Sequence, residues 1–217
     1  MELITNLIDF VLNLDKHLTG IIQNYGGWTY LILFIIIFCE TGLVVTPFLP
    51  GDSVIFVIGA LSAVGKLRVE LIAVMLIIAA VAGDTVNYHI GKAIGLKLFK
   101  KEKTRFFKKE YLIRTHEFYE KHGGKTIILA RFIPIIRTFA PFVAGMGKMS
   151  YFHFIGYNVI GGIVWVSLFI AGGYFFGNIP IIENNFSLVT FAIIFISLLP
   201  PLVGFLNQKL KSAKDNK

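Results

Sequence analysis

Glu40-Thr-Gly-Leu-Val-Val-Thr-Pro47-Phe-Leu-Pro50-Gly51-Asp52 and Arg131-Phe-Ile-Pro134-Ile-Ile-Arg137-Thr-Phe-Ala-Pro141-Phe-Val-Ala-Gly145 are two charged, proline-broken stretches in an otherwise apolar chain. The first holds two carboxylates and no cation, the second two guanidiniums and no acid. At the centre of a bilayer each such charge costs about 2.5–3.5 kcal/mol, so four unpaired charges cost roughly 10–14 kcal/mol. That equals the whole stability of an ordinary domain. The charges must therefore meet each other, water or a ligand, and the two stretches read as halves of one site.

Composition puts these charges in a membrane. The chain has 217 residues, of which 55% are hydrophobic and only 16% charged, with a mean hydropathy of +0.72. A soluble domain carries about 25% charged residues, so the class is a polytopic, all-α membrane protein. The net charge of +8 is confined: residues 97–125 hold ten Lys/Arg against four Glu, and the tail from Lys209 holds four Lys against Asp215. Basic clusters flanking apolar spans are the pattern of cytoplasmic loops and attract anionic headgroups. No aromatic-basic interleaving supports a nucleic-acid partner. The single Cys39 excludes a disulfide framework and a cysteine metal site, and the histidines show no metal spacing, so no cofactor is expected. The N-terminus lacks the basic region of a cleaved signal peptide, which leaves targeting to the spans.

Along the chain, residues 1–22 read as an amphipathic helix at the interface. Residues 23–207 form the transmembrane domain, and 208–217 a basic cytoplasmic tail. Trp28 to Val45 is apolar enough to enter and cross the bilayer, with Trp28 and Tyr30 as anchors, until Pro47 and Pro50-Gly51 stop the helix. Val54 to Val64 is half the length a span needs. Residues 40–64 thus read as a re-entrant segment, and residues 125–147, broken at Pro134 and Pro141, as a second, with Pro47, Pro50, Gly51, Pro134, Pro141 and Gly145 shaping the loops. Full spans are expected at Leu71–Leu96, Ile155–Phe176 and Phe186–Leu206, which with the first makes about four. The soluble basic segment 97–124 and the tail belong inside, the cation-free loop 177–185 outside, and both termini in the cytoplasm. The first re-entrant segment then enters from outside and the second from inside. Lys66 and Arg68, in a turn placed outside, vote against this orientation but are outnumbered. Paired Pro/Gly-interrupted segments in corresponding halves point to an inverted repeat with a transport site at its centre.

Arg131 and Arg137 stay charged and offer planar forks suited to phosphate oxygens. Six residues apart, they lie about 240° apart around an unbroken helix, so they converge only if Pro134 bends the chain. The alternative is that both arginines merely pair with Glu40 and Asp52 and glue two loops together. Glu40 falls mid-way along its apolar stretch, where burial and a neighbouring guanidinium oppose one another on a carboxyl, the setting of a proton carrier. Asp52, after Pro50-Gly51, could equally cap a helix running from Val54 onward. Asp84, Asn87 and Tyr88 are secondary candidates, with Asp84 facing Tyr88 one turn away. Gly83, Asn87, Gly91 and Gly95 recur every four residues, as close helix packing requires.

At these residues the chain resembles the DedA family of bacterial membrane proteins. The resemblance rests on Phe38 to Ser53, on Gly83-Asp-Thr-Val-Asn-Tyr-His-Ile-Gly91, on Phe118-Tyr-Glu-Lys-His-Gly-Gly-Lys125 and on Ala130 to Gly147. It implies two opposed re-entrant loops in the bacterial inner membrane. It also implies a role in moving lipids, undecaprenyl phosphate in bacterial members, with dependence on the proton motive force. Glu40, Asp52, Arg131 and Arg137 occupy the positions of the family's essential charged residues without departure.

The function expected is therefore a flippase- or scramblase-like transporter of an anionic lipid, with membrane lipids and protons as partners and a homo-oligomer compatible with the sequence. A proton-coupled cation or drug exporter and a structural membrane protein are the alternatives. No enzyme is expected, because neither His-Glu-x-x-His nor Gly-x-Ser-x-Gly occurs.

Overall fold

The computed structural model describes residues 14–43, 51–100, 124–147, 149–176 and 179–180, without the side chains of 14–16, 95–100 and 134–135. The expected N-terminal helix before residue 14, Pro47, Pro50, most of the basic segment 97–124 and of the loop 177–185, the span Phe186–Leu206 and the tail lie outside these residues. Among the described residues there are seven helices and no strand: α1 (Leu14–Tyr25), α2 (Trp28–Gly42), α3 (Gly51–Ala63), α4 (Val69–Lys100), α5 (Lys125–Ala130), α6 (Pro134–Met146) and α7 (Tyr151–Phe176).

Two of them, over Val69–Ile94 and Tyr151–Phe176, are long and apolar enough to cross a membrane, with mean hydropathies of 2.2 and 2.0. Their outward faces are apolar. Leu71, Val74, Ile78, Val86, Ile90 and Ile94 on α4 are exposed at helical spacing, while Asp84 and Asn87 on the same helix are buried. Polar inside and apolar outside suits lipid as solvent, where every buried polar group must be satisfied within the protein. α2, expected to cross, is a 15-residue helix ending at Gly42. At 1.5 Å per residue it spans about 22 Å, short of a hydrocarbon core of about 30 Å.

The breaks have local causes. Ile133, preceding Pro134, is extended (φ −122°, ψ 103°), as the proline ring demands of its neighbour, and Pro134 opens α6 where its missing N–H costs nothing. α3 ends in a Schellman motif: Gly65, at φ 76°, donates to Ser62 O, and Lys66 donates to Leu61 O. Pro141 does not break the chain as expected; it lies inside α6. The neighbouring carbonyl of Thr138 accepts a 2.7 Å hydrogen bond from Asn87 Nδ2, a side chain of α4 serving the backbone beside the proline.

Two apolar clusters sit on either side of a polar layer. One joins Leu33 and Ile37 of α2, Val54 to Ile58 of α3, Ile72 and Leu76 of α4, and Trp165 and Ile170 of α7. The other joins Tyr88 of α4, Ile127 and Ala130 of α5, Ala140 and Ala144 of α6, and Phe154 of α7. Each helix changes character at the same level. α2 ends in Glu40 and Thr41, α3 begins with Asp52 and Ser53, α4 carries Asp84 and Asn87 between its two apolar faces, and α7 carries Asn158. Arg131, Arg137 and Thr138 complete the layer from the α5–α6 junction. The triplet α5-α6-α7 packs as the triplet α2-α3-α4 does, with the partners exchanged. The packing follows the exchange, with α2 on α4 as α5 is on α7, and α3 on α7 as α6 is on α4.

One contact is built twice. In α3 and α7, a β-carbon on Gly59 would strike Ile170 O and one on Gly173 would strike Phe56 O. In α6 and α4, a β-carbon on Gly145 would strike Tyr88 O and one on Gly91 would strike Phe142 O. Phe56/Gly59 and Phe142/Gly145 share one spacing, as do Ile170/Gly173 and Tyr88/Gly91. Gly145, expected to shape a loop, is therefore a helix-packing glycine, whose missing side chain lets backbones touch. Gly91→Val and Gly173→Val should each cost about 1–3 kcal/mol by overpacking, read as a lowered thermal midpoint in detergent. Gly156→Ala, whose new β-carbon meets nothing within 4 Å, should leave the midpoint in place.

Candidate functional site

The polar layer gathers two guanidiniums and three carboxylates, all buried. α5 stops at Ala130, a turn carries Arg131, and α6 restarts at Pro134, so the two arginines escape the opposed azimuths of a continuous helix. Both now lie over the ring of Trp165, with Cζ of Arg137 4.9 Å and Cζ of Arg131 5.8 Å from its centroid.

Arg137 is claimed by the first broken stretch. Its Nη1 donates to Asp52 Oδ1 at 2.5 Å and its Nη2 to Glu40 Oε1. Glu40 Oε1 also accepts from the backbone N–H of Gly51 at 3.2 Å. A β-carbon on Gly51 would collide with the Glu40 carboxylate, so only glycine lets the start of α3 meet the end of α2 here. Asp52 lies within the first turn of α3, where a negative charge also suits the helix dipole. Its Oδ1 accepts a second bond, from Trp165 Nε1 at 2.9 Å.

Arg131 is claimed elsewhere. The sequence pairs acidic stretch with basic stretch, yet Arg131 Nη2 donates to Asp84 Oδ2 on α4 at 2.6 Å and to Asn158 Oδ1 on α7 at 2.5 Å. Asn158 Nδ2 in turn donates to Val81 O at 3.0 Å, tying α7 to α4. Gly161 and Gly162 make room for this arginine: a β-carbon on Gly161 would lie 3.0 Å from its Cδ. Asp84, ranked second in the sequence, thus stands beside the four charged residues ranked first. Tyr88 does not face Asp84; its hydroxyl donates to Met149 O at 2.5 Å, and its ring stacks on Phe154. Asn87 is a clamp, donating to Thr41 O at 3.2 Å as well as to Thr138 O.

Several polar atoms of the layer have no hydrogen-bond partner among the described residues: Glu40 Oε2, Asp84 Oδ1, Arg131 Nε and Nη1, and Arg137 Nε. Buried polar atoms are rarely left so, and here donors and acceptors lie together. No group of three or more His, Cys, Asp or Glu able to hold a metal occurs among the described residues. Trp165 and Asn158 are the members that sequence reasoning missed as site residues. Asn158 offered a signal, as a lone amide in a span of high hydropathy; Trp165 offered none beyond its size.

The family model described as the VTT domain matches residues 27–175, which takes in every residue of the layer. The chain belongs to the DedA/VTT family. It is 56% identical to Protein DedA of Escherichia coli K12 over 216 residues, 99% of either chain. It is 47% identical to an uncharacterized membrane protein of Mycobacterium tuberculosis H37Rv over 174 residues, 79% of this chain and 76% of that one. To the inner membrane protein YqjA of E. coli K12 it is 32% identical over 181 residues, 83% of this chain and 82% of that one. No solved structure matches. The apolar outer faces of α4 and α7 are accordingly those of a membrane protein of the DedA family.

Removing one partner of a buried pair strands the other charge, at a cost of about 3–5 kcal/mol. Arg131→Gln and Asp84→Asn should each lower the thermal midpoint in detergent. The double variant should recover part of that loss, with a coupling of at least about 1 kcal/mol. Strict additivity would mean that the two side chains do not interact.

Proposed function

We propose that this protein carries an anionic, phosphate-bearing lipid across the bacterial inner membrane, in the manner of a flippase or scramblase. The observation that carries the reading is the pair of buried arginines over one indole ring, with N–H donors to spare. A guanidinium left with free donors in an apolar surround is a receptor for a phosphate oxygen. A polyprenyl phosphate such as undecaprenyl phosphate suits the site, because its tail remains in lipid and only its headgroup needs a polar path.

In this proposal α2–α3 and α5–α6 are the two re-entrant units, entering from the outer and inner faces, with both termini in the cytoplasm. At rest Arg137 holds Glu40 and Asp52, and Arg131 holds Asp84. A headgroup reaching the layer takes over the arginines, and the carboxylates it displaces are neutralised by protons rather than left as bare anions. Three carboxylates against two guanidiniums leave one negative charge in excess, which one proton neutralises. The proton motive force is then the natural source of bias, worth about 2.3 kcal/mol per charge per 100 mV. The protein performs no covalent chemistry in this scheme and needs no cofactor.

The same excess of carboxylates favours a second reading, a proton-coupled cation or drug exporter. Proteoliposomes separate the two. Wild-type protein should equilibrate a labelled polyprenyl phosphate between leaflets. Arg131→Ala and Arg137→Ala should each slow it at least tenfold, without accelerating or requiring cation movement. Full-rate lipid transport by either variant would remove the arginines from the site, and cation flux without lipid transport would favour the exporter.

A further inference from the structure

Trp165 touches both ion-pair groups. It is fully buried in the middle of α7. Its ring lies beneath Arg137 and Arg131, both within the range of a cation–π contact. Its Nε1–H donates to the same Asp52 oxygen that Arg137 holds. Phe169, one turn along α7, meets the indole edge-on at 6.3 Å between centroids and fixes its plane.

The two kinds of contact differ in what they consume. A carboxylate occupies N–H groups at the rim of a guanidinium, the same groups an incoming anion needs. An aromatic ring attracts the guanidinium through its face and leaves the rim available. A guanidinium released by Glu40, Asp52 or Asp84 is therefore still held by the indole. Asp52, when Arg137 turns to an anion, still has the indole N–H and is not left a buried carboxylate without a donor.

We propose that Trp165 is the positioning residue of the site. It is a fixed platform that keeps both arginines and Asp52 in place while an anionic headgroup replaces the carboxylates. This rests on the lipid-phosphate reading above and adds to it a named residue that binds no lipid itself.

Trp28 and Trp165 are the only tryptophans, so Trp28→Phe leaves Trp165 as the sole emitter. Purified protein in detergent would be titrated with farnesyl phosphate, with farnesol and inorganic phosphate as controls. Binding would be read by radiolabel and by indole emission, and thermal midpoints would report folding. Farnesyl phosphate should change the emission of the Trp28→Phe protein, and farnesol should not. Trp165→Phe keeps an aromatic face but not the N–H; it should bind within about threefold of wild type and turn over more slowly in proteoliposomes. Trp165→Leu lacks both and should bind roughly tenfold more weakly.

A folded Trp165→Leu that binds and transports as wild type does would overturn the inference while leaving the lipid reading intact. Should that variant not fold, wild-type turnover by Trp165→Phe together with silent emission on binding would overturn it equally. Failure of wild type to bind farnesyl phosphate at all would overturn the lipid reading and this inference with it. Inorganic phosphate binding as tightly as farnesyl phosphate, with the same dependence on Trp165, would uphold the positioning role and overturn the lipid as its ligand.

Discussion

Arg137 is the point on which the fold turns. Its guanidinium is buried and held by carboxylates from the end of α2 and the start of α3. These helices are not consecutive turns of one rod. They meet only because Gly51 has no side chain to keep them from the same carboxylate. A buried ion pair of this kind is weak evidence for stability in itself, since desolvation offsets much of the Coulombic gain. Its force is negative: any arrangement of α2, α3 and α6 that fails to bring the three side chains together strands a charge in an apolar interior. The register of three helices is thereby set by what must not happen.

The second arginine extends the constraint to the long helices. Arg131 binds α4 through Asp84 and α7 through Asn158, and Asn158 returns to α4 through Val81 O. The polar layer is thus a continuous belt through every helix from α2 to α7. Outside it the close approaches of Gly59 to Ile170 O and Gly173 to Phe56 O, and of Gly145 to Tyr88 O and Gly91 to Phe142 O, join α3 to α7 and α6 to α4 in the same manner. The belt and the glycine contacts divide the work. Glycine contacts give tight, featureless packing that depends on shape alone, which lipid does not compete for. Charges give selectivity of partner, and the buried ones among the described residues all sit in this layer.

Much of this was legible in the chain. The two broken stretches, the four charges in them, the fourfold glycine spacing around Gly83 and the requirement that Pro134 bend the chain all follow from residue type and interval. The parts that were not legible have physical causes. Pro141 reads as a second break because a lone sequence cannot show that Asn87, 51 residues before Thr138, supplies a donor to the Thr138 carbonyl in the turn preceding the proline. Asp84 reads as subordinate because it is a single carboxylate within a span, whereas the acidic stretch offers two carboxylates to match two guanidiniums; the fold is what brings it to Arg131. Trp165 reads as one more apolar residue of a span, since a ring face that serves cations has no signature of its own. The repeat of Phe56/Gly59 in Phe142/Gly145 is visible in the letters, but only the contacts they make show that it is one device used twice.

Relatives at 56% and 32% identity match the chain over most of its length, and the family model runs from Trp28's neighbour Gly27 to Phe175. Membership of the family fixes a membrane setting, whereas the choice of cargo has to come from the layer itself. A site built only of paired charges is closed to ligands, because every donor already has an acceptor. This one is not so built: Arg131 keeps two donors and Arg137 one beyond their carboxylates. In the proposed reading an anion finds these donors waiting, and the unpartnered Glu40 Oε2 and Asp84 Oδ1 are acceptors that protons would fill as it arrives. The spare donors of the two arginines are what favours the proposed exchange of one anion for another over the proposed passage of a cation.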